Sequence, residues 1–174
     1  MTIDLREVMN GLAIKRYHTK RTIREQTVAD HSARICAILC YLMDNQPTAA
    51  VLQAAIYHDC SEFVTGDIPA PAKWNNPALK TELSRITTEY EVSMGLRVVL
   101  TDREAKLLKF ADLAEGCQYC IDELQLGNRN LLPTLSRYLK ALRNAPKDEY
   151  RDVHFRQLEL IGDFDNYLSY SRNK

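Results

Sequence analysis

Two histidines and two aspartates stand in stretches that otherwise read as buried helix: His31 in VADHSA, the adjacent pair His58-Asp59 closing AVLQAAIYHD, and Asp112 in KFADLAE. An ionised carboxylate in a core must be paired or must bind a metal. Two imidazole nitrogens and two carboxylate oxygens converging on one ion would satisfy all four groups together. That borderline-to-hard set suits Mn, Co, Fe or Zn with positions left open for water and substrate, better than a closed structural site. Each residue also has a plainer reading. His58 could cap a helix C-terminus, Asp59 could form a salt bridge, His31 could be a hydrogen-bonded core histidine, and Asp112 could pair with Lys109 or Arg103. Downstream, Glu62 and Asp67 add carboxylates that could polarise or position an attacking water. Their plainer readings are a helix-end glutamate and a turn residue beside Gly66.

Consecutive helical residues point about 100° apart, so His58 and Asp59 cannot share a face. Near a helix end they can still grip one ion from two sides, with His31 and Asp112 brought in from other helices. The elements that must do this are read from apolar spacing. A helix is expected over 3–14, followed by a polar connector over 15–26. Thr27 with Asp30 reads as an N-cap opening a helix to about 44, which carries His31 in its first two turns. Pro47-Thr48 opens a helix over about 48–61, and the proline-rich 65–77 reads as a rigid loop. A helix over about 78–99 follows. Thr101 with Glu104 is a capping box for a long helix to about 126, with Leu108, Asp112, Glu115 and Tyr119 near one face. Two more helices are expected, over about 130–143 and 148–170. The expectation is an all-α bundle of about six to seven helices, a single domain over 1–174.

Composition narrows the function classes. With 23 Lys+Arg against 23 Asp+Glu the net charge is zero, so no global field attracts nucleic acid or a membrane surface. No apolar run approaches the roughly 18 residues of a membrane span. The N-terminus lacks the layout of a signal peptide. Five cysteines, an odd number, favour free thiols and a reducing compartment, so a cytoplasmic protein is expected.

The pattern His31 … His58-Asp59 … Asp112 resembles the HD superfamily of metal-dependent phosphohydrolases. The stretches QTVADHS, YHDCSEFVTGDIPAPAKW and KFADLAEG resemble the branch of bacterial 5′-deoxynucleotidases and phage deoxynucleotide hydrolases, across roughly residues 14–120. The resemblance implies a helical-bundle fold, with His31, His58, Asp59 and Asp112 as metal ligands, Glu62 as catalytic glutamate and Asp67 as a water-positioning aspartate. It further implies that Arg16 and the aromatic after it, in RYHT, bind phosphate and pack against the sugar; the aromatic is often Trp and here is Tyr17. The RYHT form, the short spacing from His31 to His58 and the chain length are most similar to the phage group related to dATP triphosphohydrolases. A homo-oligomer, dimer or trimer of dimers, and a deoxynucleotide as the small-molecule partner are implied as well. A second ion, Mg²⁺, could bridge the phosphate chain.

Lys15, Arg16, Lys20, Arg21 and Arg24 concentrate positive charge and read as either a solvated face or a phosphate grip, with Lys73 contributing from the PAPAKW loop. Tyr17, Thr19, Ile23 and Trp74 are candidates to line the base and sugar pocket. Within the enzyme class the expectation is hydrolysis of a dNTP to deoxynucleoside and triphosphate, with a dNMP-hydrolysing 5′-deoxynucleotidase as the alternative. Rivals from other classes are a helical nucleic-acid-binding module using the basic run, and a structural zinc protein using Cys36/Cys40 and Cys117/Cys120. Four thiols in apolar helices read more simply as core packing. Tyr138, Tyr150, Tyr167 and Tyr170 are compatible with an interface or with a wet surface.

Overall fold

The computed structural model describes residues 3–172. The chain forms α1 (Leu5–Leu12), α2 (Val28–Leu42), α3 (Ala49–Tyr57), α4 (Glu62–Thr65), α5 (Ala70–Asn75), α6 (Pro77–Ser93), α7 (Asp102–Gln125), α8 (Leu132–Asn144) and α9 (Arg151–Arg172), with a 3₁₀ turn over Arg129–Leu131 before α8. Seven of these have eight or more residues, in agreement with the expected all-α bundle, and no strand occurs among the described residues. Both expected capping boxes are present: Thr27 and Asp30 open α2, and Thr101 and Glu104 open α7.

Helix α7 is the axis of the bundle, packed against α2, α3, α8 and α9. It buries Leu107, Phe110, Ala114, Cys117 and Cys120 in one cluster with Ile35 and Leu39 of α2 and Leu135 and Leu139 of α8. Each such leucine, fully removed from water, stabilises the fold by about 1.5–3 kcal/mol. A helix covered on nearly every side has no polar face to spare, so the polar groups it does carry need partners.

Three boundaries differ from expectation. Helix α3, expected to run to about 61, stops at Tyr57, and His58 to Ser61 form a turn before α4. The proline-rich segment is not wholly loop, because Ala70–Asn75 coils into α5. Its prolines fall at the helix start, where the missing N–H is no loss. Helix α6 ends at Ser93, because Gly95 takes φ +65°, and residues 96–100 run non-helical into the cap of α7.

The polar connector is an ordered loop. Arg16 N–H donates to Gln26 O (2.8 Å) and Val28 N–H to Ile14 O (2.9 Å), closing its two ends together. Glu123 of α7 accepts from the backbone N–H groups of Ile23 (2.7 Å) and Arg24 (2.8 Å), and Tyr119 OH donates to Arg24 O (2.7 Å). Asn128 donates to Arg21 O (2.8 Å) and to Glu123 (2.7 Å). The loop is thus clamped to α7, and it holds Arg16 and Tyr17 over the face where Asp112 emerges.

Candidate metal centre and active site

His31 comes from the second turn of α2, His58 and Asp59 from the turn after α3, and Asp112 from the middle of α7. Three separate helices therefore meet at one point. Ligand atoms of His31, His58 and Asp112 lie within 4.8 Å of one another. Asp59 Oδ2 is 3.6 Å from His31 Nε2 and 3.4 Å from His58 Nε2, and Asp112 Oδ1 is 3.4 Å from His31 Nε2.

The outer ring nitrogens explain why these faces converge. His31 Nδ1 pairs with Glu115 Oε2 at 2.6 Å, and His58 Nδ1 donates to Ala55 O at 2.9 Å. Both Nε2 atoms are buried and have no hydrogen-bond partner. A buried nitrogen without a partner is costly unless a ligand takes its lone pair. The donor set of two orphaned imidazole nitrogens and two carboxylates fits a divalent cation, with Glu115 and Ala55 O fixing the ring tautomers from behind. Burial works against ionisation of Asp112 and Asp59, yet both are held below the usual carboxylate range. Asp112 is lowered by Lys109, His31 and His58, and Asp59 by His58, His31 and Arg16. Lys109 is the partner that sequence reasoning offered Asp112; it binds Oδ2 at 2.6 Å, whereas Arg103 pairs with Asp148 instead.

His31 is pushed up to about 9: burial acts to lower it, and the attraction of the nearby Asp112 and Glu115 carboxylates outweighs that. A proton on Nε2 sits where a cation would be bound, so binding must expel it. Apparent cation affinity accordingly rises with pH and levels off near 9. Calorimetry in buffers of different ionisation heat will report the released proton. A pH-independent affinity with no proton release would rule out His31 as a ligand.

Glu62 opens α4 beside this cluster, is 7% exposed, and its Oε2 has no partner. Burial and the neighbouring charges of Asp59 and Asp67 push its carboxyl up to about 9, against the opposing pull of Arg16 and Lys73. Asp67 Oδ2 accepts the N–H of Tyr17 at 2.9 Å and lies 3.8 Å from His18 Nδ1. Tyr17 is held at φ +58° and stacks on Tyr119, with ring centroids 4.4 Å apart and planes 17° off parallel. Arg16 donates to Gln26 Oε1 (2.9 Å) and Glu115 Oε2 (3.3 Å), which aims its guanidinium into the same cleft.

The cleft over His58, Asp59 and Asp112 measures about 520 Å³ and is lined also by Arg16, Glu62, Asp67 and Lys73, together with Lys80 and Lys109. Thr19 and Tyr17 line an adjoining cleft of about 360 Å³ with Lys20, Thr134, Arg137 and Tyr138. Arg21 lines neither. The charge run is split up: Lys15 pairs with Glu25 and Arg24 with Asp122, so only Arg16 and Lys20 of the five reach a cleft. Ile23 is 58% exposed outside both. Trp74 falls within α5, and its side chain lies outside the described residues.

Sequence reasoning placed Glu115 on the face of Asp112 but gave it no role. Its buried carboxylate joins His31, Arg16 and Gln26 (2.7 Å), coupling the histidine to the arginine. Tyr138 was read as surface or interface; it lines both clefts instead. Cys117 and Cys120 are core residues whose thiols burial pushes upward, and among the described residues no cysteine joins a metal-ligating group. No described helix is long and apolar enough to cross a membrane.

An all-helical bundle that gathers two histidines and an HD pair's aspartate with a third helix's aspartate is an HD-domain phosphohydrolase. Residues 7–98 match the family described as 5′-deoxynucleotidase YfbR-like, and the chain belongs to that family. A 5′-deoxynucleotidase of Yersinia pestis is 27% identical over 162 residues, covering 79% of this chain and 82% of that protein. Two solved structures share the fold. An HD phosphohydrolase of cyanophage S-2L, bound to dA and one catalytic Zn²⁺ ion, superimposes with a TM-score of 0.67 at 24% identity, covering 98% of this chain and 99% of that one. An HD-domain phosphohydrolase of Listeria innocua gives 0.69 at 21% identity, covering 91% and 86%.

Proposed function

We propose that this metal-dependent HD phosphohydrolase cleaves the phosphorus–O5′ bond of a 2′-deoxynucleoside triphosphate, releasing deoxynucleoside and inorganic triphosphate. The observation that carries this reading is the charge of the metal cleft. Arg16, Lys73 and Lys80 line the cleft beside the cluster, with Lys109 already paired with Asp112, and offer several cations to the about four negative charges of a triphosphate. The deoxyadenosine and zinc in the cyanophage structure support a deoxynucleotide and a divalent cation here.

His31, His58, Asp59 and Asp112 hold the cation, which when bound acts as a Lewis acid and lowers the pKa of water to about 7. Arg16, fixed by Gln26 and Glu115, grips the phosphoryl oxygens in an orientation set before substrate arrives. Glu62, whose carboxyl retains its proton readily, gives a proton to the departing 5′-oxygen. Asp67 borders the same cleft and orients the attacking water. Glu62, Asp67, Arg16, Tyr17, Thr19 and Lys73 are thus the residues assigned to catalysis and substrate. Arg21, outside both clefts, keeps at most a long-range attraction.

The monophosphate reading is favoured by the 5′-deoxynucleotidase activity that names the family and the Yersinia relative. Chromatography of products from each dNTP and dNMP with Mn²⁺, Co²⁺, Zn²⁺ or Mg²⁺ separates the two. Triphosphate and deoxynucleoside from a dNTP are expected; orthophosphate from dNMPs alone would replace this assignment with the monophosphate one.

A further inference from the structure

The adjoining cleft holds more positive charge than its own surroundings neutralise. Arg16, Lys20 and Arg137 line it against a single carboxylate, Asp67. Arg16 is committed to Gln26 and Glu115, and Asp67 accepts the N–H of Tyr17. The side chains of Lys20 and Arg137 make no ion pair or hydrogen bond among the described residues. Arg137 follows Thr134 by three residues on α8, so both face the cleft from one side of the helix. Pro69 and Pro71 border it with ring carbons and no N–H. The cleft therefore joins apolar walls to cations that can only donate hydrogen bonds.

In any nucleotide the sugar joins the 5′-phosphate to the base. With the phosphate beside the metal cluster, the base falls to the adjoining cleft, which shares Arg16, Asp67 and Tyr138 with the first. This step rests on the proposed nucleotide substrate. We propose that Arg137 is a specificity-determining residue that reads the base and favours guanine. Guanine presents O6 and N7 as neighbouring acceptors, which two N–H groups of one guanidinium reach together. Adenine places an N6 donor beside N7, so one arm of the same fork meets a donor and gains nothing. Cytosine and thymine have no N7 and offer no such acceptor pair. Lys20, also donor-only, adds to the bias toward a base with a carbonyl on this edge.

The test compares wild type, Arg137→Met and Arg137→Gln on two readouts. One is the ratio of kcat/KM for guanine to that for adenine deoxynucleotides, with triphosphates and monophosphates both assayed. The other is calorimetric binding of deoxyguanosine, 7-deazadeoxyguanosine and deoxyadenosine. Arg137 is exposed and stands outside the core cluster, so both variants fold. Wild type is expected to favour guanine about tenfold or more, and to bind the 7-deaza analogue several-fold more weakly than deoxyguanosine. Met keeps the stem without the donors, and the ratio should approach one. Gln, whose amide matches N7 and N6 of adenine, should tilt the ratio further toward adenine. An undiminished guanine preference in Arg137→Met overturns the inference. So does an equal loss for both bases, which would make Arg137 a general charge for phosphate. If wild type binds deoxyguanosine selectively but hydrolyses no deoxynucleotide, the proposed reaction fails while the base reading stands. Wild type without selectivity on either readout, or preferring the adenine base present in the cyanophage structure, overturns the base reading itself.

Discussion

Replacing Asp59 with Asn lowers turnover roughly a thousandfold or more while the helical circular dichroism stays that of wild type. His58→Ala behaves the same way. Both residues lie in the turn after α3 rather than in the leucine core, and Asn preserves the shape of Asp59. What it removes is the charge that stands 3.6 Å from His31 Nε2 and 3.4 Å from His58 Nε2. Asp59 is ionised in the fold because the two histidines and Arg16 outweigh its burial. Its folded value is depressed, so the stability it adds is present above the usual aspartate range and is lost on acidification. At neutral pH the metal-free variant therefore melts slightly lower than wild type, and its bound metal, measured by elemental analysis, drops. Turnover near the wild-type level in either variant would remove the ligand assignment.

The convergence of His31, His58, Asp59 and Asp112 was legible because each breaks a local rule. A charged or titrating group inside an apolar helix has no reason to be there unless something pairs with it, and that conflict is visible in a dozen residues. Capping boxes are equally local, and both were read at the right positions. Glu115 was harder. It follows Asp112 by one turn and could have been any buried glutamate; its meaning depends on Gln26 and Arg16, some 89 and 99 residues away in sequence. The basic run was ambiguous for the opposite reason. Five cations look like a phosphate grip until Asp122, on a distant helix, takes Arg24 and nearby Glu25 takes Lys15. Segment 65–77 was read as loop from its prolines, although a proline in the first turn of a helix costs nothing. Gly95 signalled the end of α6, but the apolar residues after it imitated a continuing helix. Tyr138 was opaque because its position is decided by the absence of a side chain at Gly116.

Glu62→Gln is expected to cost about 10²–10⁴ in turnover, the usual worth of a placed acid or base, while metal-free protein becomes more resistant to heat. The two effects share one cause. Glu62 is 7% exposed, its Oε2 lacks a partner, and burial with Asp59 and Asp67 lifts its carboxyl to about 9. In the unfolded chain the same group ionises near its ordinary value of 4.5. Between those limits the native state binds more protons than the unfolded state, so the metal-free fold loses stability as pH rises. Gln occupies the same space without a proton to lose, and it removes that slope. Thermal melts of metal-free wild type and Glu62→Gln at pH 5 and pH 8 should therefore diverge, with the variant's advantage larger at pH 8. A glutamate that only supported the fold would give the reverse, a lower melting temperature with turnover falling in step. A variant that melts higher yet turns over slowly identifies a residue kept for its chemistry against the interest of stability.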